Sequence, residues 1–230
     1  MFDVFNGVKT CDTCQVSFYQ LQNTHDHKET CPVSNSEKSA DFRDGMPFLG
    51  GAPWLDLANS SFRLDGNAFD FLSDGPSFAR WVEAAGFAVA PESLEAERLA
   101  ALGLRGLTRE VLVRLNNGLS LTLNQVDQLN GLLRNRTILE QARLAEGAFE
   151  LDFPDHIAGP FVATRLASEL AHFLDDYEAG RLKNCDNPTC DMVFYDRGKN
   201  NRRRWCTMSI CGNRDKVANY RARRAGAKSH

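Results

Sequence analysis

"NCDNPTCDMVFYDRGKNNRRRWCTMSICGNRDKVANYRARR", residues 184–224, sets two cysteine pairs of equal spacing on either side of a run of arginines. Cys185-x4-Cys190 and Cys206-x4-Cys211 are separated by fifteen residues. Two ligands at short spacing come from one tight turn, and two such pairs supply the four thiolates of a tetrahedral site. Soft thiolates in closed four-coordination select zinc or an iron–sulfur cluster over magnesium or calcium. With arginines around the ligands and no electron-transfer signature, one structural Zn2+ is expected rather than a cluster, disulfides or free thiols. "MVFYDRGKNNRRRWC" reads as strand, turn and strand, with Met192, Phe194 and Trp205 available to pack. From Ser209 onward the chain is helix-competent, with Cys211 in the first turn. Knuckle, hairpin and helix together make a treble-clef-like zinc finger. A module of about forty residues buries too little apolar surface to fold alone, so the metal should contribute about 10–16 kcal/mol outright.

Charge separates this region from everything before it. Residues 181–230 carry thirteen Lys and Arg against four Asp, a balance of +9, whereas residues 1–180 carry fourteen against twenty-six, a balance of −12. Only the C-terminal part has the charge of a polyanion-binding surface. On its final helix Asn213, Lys216, Tyr220, Arg221 and Arg224 recur at three-to-four spacing, with Val217 able to face the hairpin. Arg202, Arg203 and Arg204 alternate sides if they lie on a strand, which puts Arg202 and Arg204 on one face. Lys and Arg neutralise phosphates, and Arg or Asn also reads base edges in a major groove. Asn213 and Arg214 adjoin Cys211, so they either brace the zinc site or reach bases.

The remaining chain reads as an extension and a body. Residues 1–45 are polar without sustained period and are expected to be a flexible N-terminal extension. Cys11, Cys14, His25, His27 and Cys31 lie there, and a second metal site is the alternative to incidental cysteines. Residues 46–180 form a mostly helical body, opened by "PFLGGAPWLDLANS" with its Gly50-Gly51 turn. "DGPSFARWVEAAGF" predicts a helix capped by Asp74; "APESLEAERLAALGLRGLTREVLVRLNNGLS" predicts a second, broken at Gly103 or Gly106. Leu123, Val126, Leu129, Leu132 and Leu133 predict a third. "TILEQARLAEGAFELDF" reads as a small β-hairpin turning near Glu146-Gly147. A last helix carries Ile157, Phe161, Leu166, Leu170, Phe173 and Leu174 on one stripe and ends at Gly180, with residues 181–184 as the junction. The fold class is therefore a mainly α body with a small β-hairpin, followed by the finger over residues 181–230.

Enzymatic activity is not expected, because the body has no GxGxxG, P-loop or HExxH, and His156 and His172 stand near no nucleophile. "DDYE", residues 175–178, reads as a solvated helix end or as a contact for the basic tail. No membrane partner is expected, since no run approaches the eighteen or so apolar residues of a membrane helix. An odd seven cysteines and the lack of a signal core point to a reducing, cytoplasmic location.

"RRRWCTMSICGNRDKVANYRAR" resembles the CGNR zinc finger, called after Cys211-Gly212-Asn213-Arg214. "PFLGGAPWLDLANS" and the helical body after it are similar to the domain that precedes this finger in bacterial stress-induced transcription regulators. The resemblance covers residues 47–224 and implies DNA binding, with the body as sensor or interaction domain for a small-molecule or protein effector. RNA binding is the runner-up, because cations and an exposed aromatic such as Tyr220 also suit single strands. A zinc-dependent protein-interaction module is the third reading. Oligomeric state is left open.

Overall fold

A computed structural model describes residues 41–226. Cys11, Cys14, His25, His27 and Cys31 lie outside them. Residues 41–45, expected in the extension, instead start the fold. Asp44 and Gly45 take φ of 47° and 73°, the pair of left-handed residues that a tight hairpin turn needs. They join β1 (Phe42–Arg43) to β2 (Met46–Pro47), where Met46 is buried. Asp65 and Gly66, at 54° and 80°, do the same for β3 (Ser61–Leu64) and β4 (Asn67–Asp70). Between the hairpins runs α1 (Pro53–Ala58), started by Pro53 in its first turn.

Asp74 caps α2 (Gly75–Ala84) as predicted, its Oδ1 accepting from Ser77 N at 2.7 Å. Gly86, at φ 86°, closes the helix in the left-handed conformation. A 3-10 turn at Pro91–Ser93 leads into α3 (Leu94–Asn116), which runs through Gly103 and Gly106 unbroken. Both glycines face open space, so neither bends the helix, and buried Ala101, Leu104, Leu107, Val111 and Leu112 hold it against the core. A capping box of Thr122 and Gln125 starts α4 (Leu123–Leu133). Leu129 is the buried anchor of α4, while Leu123 is 85% exposed and carries none of the packing expected of it.

β5 (Arg136–Ile138) pairs with β8 (Asp155–Ile157). The Ile138–Pro154 stretch between them falls in a compact unit of its own. It contains the predicted hairpin, β6 (Gln141–Ala145) and β7 (Ala148–Asp152), turning at Glu146-Gly147 with both residues at positive φ. In the other unit, α5 (Phe161–Asp175) is shorter than predicted at both ends. Pro160 and Gly159, at φ 156°, start it late, so Ile157 belongs to β8. Its first amides donate to Glu97 of α3, Phe161 N to Oε1 at 2.5 Å and Val162 N to Oε2 at 3.0 Å. A buried carboxylate thus satisfies the orphan N–H groups of the helix start.

α1 packs on α3 and α5, α2 and α4 on α3, and α4 on α5. Trp54, Phe78, Trp81, Leu104, Leu166 and Leu170 fill the centre and are each essentially inaccessible. At the junction expected over residues 181–184, Leu182–Asn184 is strand β9, paired with β10 (Val193–Tyr195), and Leu182 is part of the main core. Helical body and C-terminal region therefore fold as one unit. Among the described residues no helix is long and apolar enough to cross a membrane.

Candidate metal centre and cationic surface

The first cysteine pair sits in the turn that joins β9 to β10. Cys190 N donates to Asn187 O at 2.9 Å and Cys185 N to Met192 O at 2.9 Å, closing a knuckle around Pro188. The strand expected after "RGKNN" is absent; β10 pairs backward with β9, and residues 201–204 are irregular. The second pair comes from a bend at Cys206 and a π turn, Met208–Gly212, that runs into α6 (Asn213–Gly226). The four sulfurs all lie within 4.8 Å of one another. Cys190 Sγ is 3.9 Å from Cys206 Sγ, which is 3.6 Å from Cys211 Sγ. A tetrahedron of 2.3 Å zinc–sulfur bonds has edges of about 3.8 Å. The donor set and its spacing thus fit zinc.

The crowded sulfurs also perturb one another. Hydrogen bonds from Cys190 and Cys206 hold the Cys185 thiol down at about 2, and in return Cys190 is pushed up to about 12 and Cys206 higher still. Zinc binds thiolates, so ligation of all four cysteines would release their protons. Around the sulfurs, Asn187 Nδ2 donates to Cys211 Sγ at 3.4 Å and Cys206 N to Cys185 Sγ at 3.4 Å. Asn187 is buried and also accepts from Thr189 N at 3.2 Å. Spacing alone could not single it out, although Asn is a residue type whose side chain accepts from the backbone amide two residues on.

Asn213 and Arg214 brace something else. Asn213 Nδ2 donates to Ser209 O at 3.1 Å, tying down the π turn, and neither side chain touches a sulfur. Arg214 pairs with Asp65 in the β3–β4 turn. Thr189 Oγ1 donates to the other oxygen of Asp65 at 2.7 Å, and Asp65 N to Thr189 O at 3.2 Å. The turn therefore clasps both the knuckle and the helix.

The arginine run divides by exposure. Arg202 and Arg204 are exposed, as alternation predicts even without a strand. Arg204 pairs with Asp186 at 2.6 Å and lies over Trp205. Arg203 turns inward and is removed from the polyanion surface expected of it. Its guanidinium lies 4.2 Å above the Phe194 ring and donates to Leu49 O at 2.9 Å, Trp205 O at 3.1 Å and Cys206 O. Planar, five-donor geometry suits that role, which a lysine could not fill.

α6 has no buried side chain among its described residues. Helical period places Lys216, Tyr220, Arg221 and Arg224 on one broad side with Arg214 and Arg223, a cation the spacing argument passed over; Asp215, Ala218 and Asn219 occupy the other. Val217 is 48% exposed and does not pack on the hairpin. Tyr220 OH accepts from Arg224 Nη1 at 3.3 Å. Of the acidic run, Glu178 meets the basic region through Arg181 at 2.8 Å.

The opening motif of the body proves to be the seam for the finger. Tyr195 N donates to Gly50 O at 2.9 Å, and Asn59, buried in the same motif, donates to Val193 O at 2.7 Å and accepts from Val193 N at 3.1 Å. A Cβ on Gly50 would meet Asp56 Oδ1 and Leu55 at 3.0 Å, and one on Gly51 would meet Tyr195 O at 3.1 Å. Leu49 and Phe62 then join Met192, Phe194 and three of the cysteines in a second core.

Comparison with known proteins matches residues 51–176 to the ABATE family, described as "Putative stress-induced transcription regulator", and residues 181–224 to the CGNR zinc finger. No curated protein matches the chain.

Proposed function

Because the chain belongs to the ABATE family and carries a CGNR zinc finger after its helical body, we propose that it is a DNA-binding transcription regulator. The observation that carries this reading is α6, a helix of 14 residues that buries no described side chain and sets its cations on one side. A helix with no core to serve and a cationic face is suited to a major groove. Lys216, Arg221 and Arg224, with Arg202 and Arg204 beside the cage, would meet phosphates; Tyr220 would reach a sugar or base. One structural zinc per chain, held by Cys185, Cys190, Cys206 and Cys211, supplies folding free energy. The body acts as sensor or interaction domain in a cytoplasmic protein without enzymatic activity.

Titrating the zinc-loaded full chain with duplex DNA, structured RNA and single strands across a salt series tests this. Duplex binding with a steep salt slope, weakened by Lys216→Gln, Arg221→Gln and Arg224→Gln together, is the expected result. Preference for RNA or single strands would favour the runner-up. No salt-sensitive binding to any of them would leave the protein-interaction reading in its place.

A further inference from the structure

Between β10 and the second cysteine pair, the loop Asp196–Arg203 is anchored at both ends, by buried Asp196 and by Arg203 over Phe194, and is held firmly from beneath. Asp196 is buried, and its carboxylate accepts from Gly198 N at 2.9 Å, Arg203 N at 2.8 Å and Lys183 Nζ at 3.0 Å. Lys183 Nζ continues to Asn201 O at 2.8 Å and Arg203 O at 3.2 Å. Arg181 Nη1 donates to Asp196 O at 3.1 Å and Gly198 O at 3.0 Å. A Cβ on Gly198 would lie 2.9 Å from the Asp196 carboxylate, so the loop closes this tightly only with glycine there. The only acid in the loop and its inward carbonyls are thereby consumed by two cations below it.

What faces outward is uniformly positive. Arg197, Lys199 and Arg202 are exposed, and among the described residues none of them is paired with a carboxylate. They line a cleft of about 470 Å³ whose floor includes Gly51 and Tyr195. Three unpaired cations on a preorganised frame are over-charged for a single carboxylate and match the multiple charges and acceptors of phosphate.

We infer that the Asp196–Arg203 loop is a phosphate-binding cleft, in which Arg197, Lys199 and Arg202 are the ligand-contacting groups and Arg181, Lys183 and Asp196 position them. The phosphate is either one carried by a nucleic-acid backbone, which rests on the regulator reading, or one of a free polyphosphate, which does not.

The test compares the zinc-loaded full chain with the triple variant Arg197→Gln, Lys199→Gln, Arg202→Gln, whose surface changes leave zinc content and circular dichroism as controls of folding. Each is titrated with pyrophosphate by calorimetry and with duplex DNA over a salt series. A backbone phosphate predicts that the triple variant flattens the log K against log salt slope by about 0.9 per lost contact, roughly 2–3 in all. A free polyphosphate predicts that pyrophosphate affinity falls at least about tenfold while the duplex salt slope changes by no more than about one, the single contact of Arg202. If duplex and pyrophosphate titrations both match those of the wild type, the cleft is overturned together with the phosphate contact of Arg202, and duplex binding then depends on α6 and Arg204 with the regulator reading intact. If pyrophosphate binding is lost but the wild type ignores every nucleic acid, the cleft stands and the regulator reading falls. A wild type that binds neither overturns both.

Discussion

Asp56 lies in α1 within the opening motif, buried, with its Oδ1 accepting from Gly50 N at 2.7 Å. Burial pushes its carboxyl up to about 7, outweighing the Gly50 amide and the charges of Arg43 and Arg203, which pull it down. A native carboxyl raised above its unfolded value binds a proton on folding, so its contribution is full below about pH 4 and is lost as pH rises through 7. The swing is at most roughly 4 kcal/mol. Asp56→Asn keeps an acceptor for Gly50 and removes the ionisation. Its denaturant midpoint should hold nearly level between pH 5 and 8 where the wild type declines; parallel declines in both would refute the assignment. Asn187 invites a second measurement at this scale. It donates to Cys211 Sγ, and loss of such an outer hydrogen bond weakens metal binding by about 10–100-fold. Asn187→Ala should therefore surrender zinc to a competing chelator at correspondingly lower concentration, and an unchanged competition curve would count against that role.

At the scale of elements, legibility followed local signal. Asp74, the 3.6-residue stripe of α3 and the Glu146-Gly147 turn each act within a few residues, and each was readable. The β3–β4 hairpin carries an equally local signal, Asp65-Gly66 between two short strands, which the apolar motif before it overshadows. The cage was readable because ligand spacing is itself local; the partners of Arg203 and Arg214 were not, since Leu49 and Asp65 are over 140 residues away in sequence and no periodicity encodes them. The hairpin offers its own test. Asp65→Asn keeps the turn, because Asn tolerates φ 54°, but releases Arg214 to solvent. An exposed pair contributes about 0–1 kcal/mol, so stability should barely move. Nucleic-acid affinity should rise and its salt slope steepen by about one, a gain that a base-reading or cage-bracing Arg214 would not produce.

For the molecule as a whole, the continuity between body and finger decides how it responds to metal. A finger on a linker would unfold alone on chelation and leave the body as it was. Here β9 follows α5 after only a short turn, Leu182 belongs to the body's core, and the opening motif supplies Gly50, Asn59 and Leu49 to the finger. Losing the cage would strand the buried side-chain amide of Asn59, which donates to and accepts from Val193, and expose Leu49 and Phe62; an unpaired buried polar group costs about 1–3 kcal/mol. Zinc therefore stabilises helices that it does not touch. Thermal unfolding followed by helical circular dichroism should show one transition in the zinc-loaded chain, and a strong chelator should lower its midpoint by several degrees, since about 1 kcal/mol is worth roughly 2–4 °C at this size. Reducing the seam independently, by Asn59→Ala, should bring the zinc-loaded midpoint down and shrink the further drop on chelation, because the two losses overlap. A body transition indifferent to both treatments would mean that finger and helices are energetically separate despite their contacts.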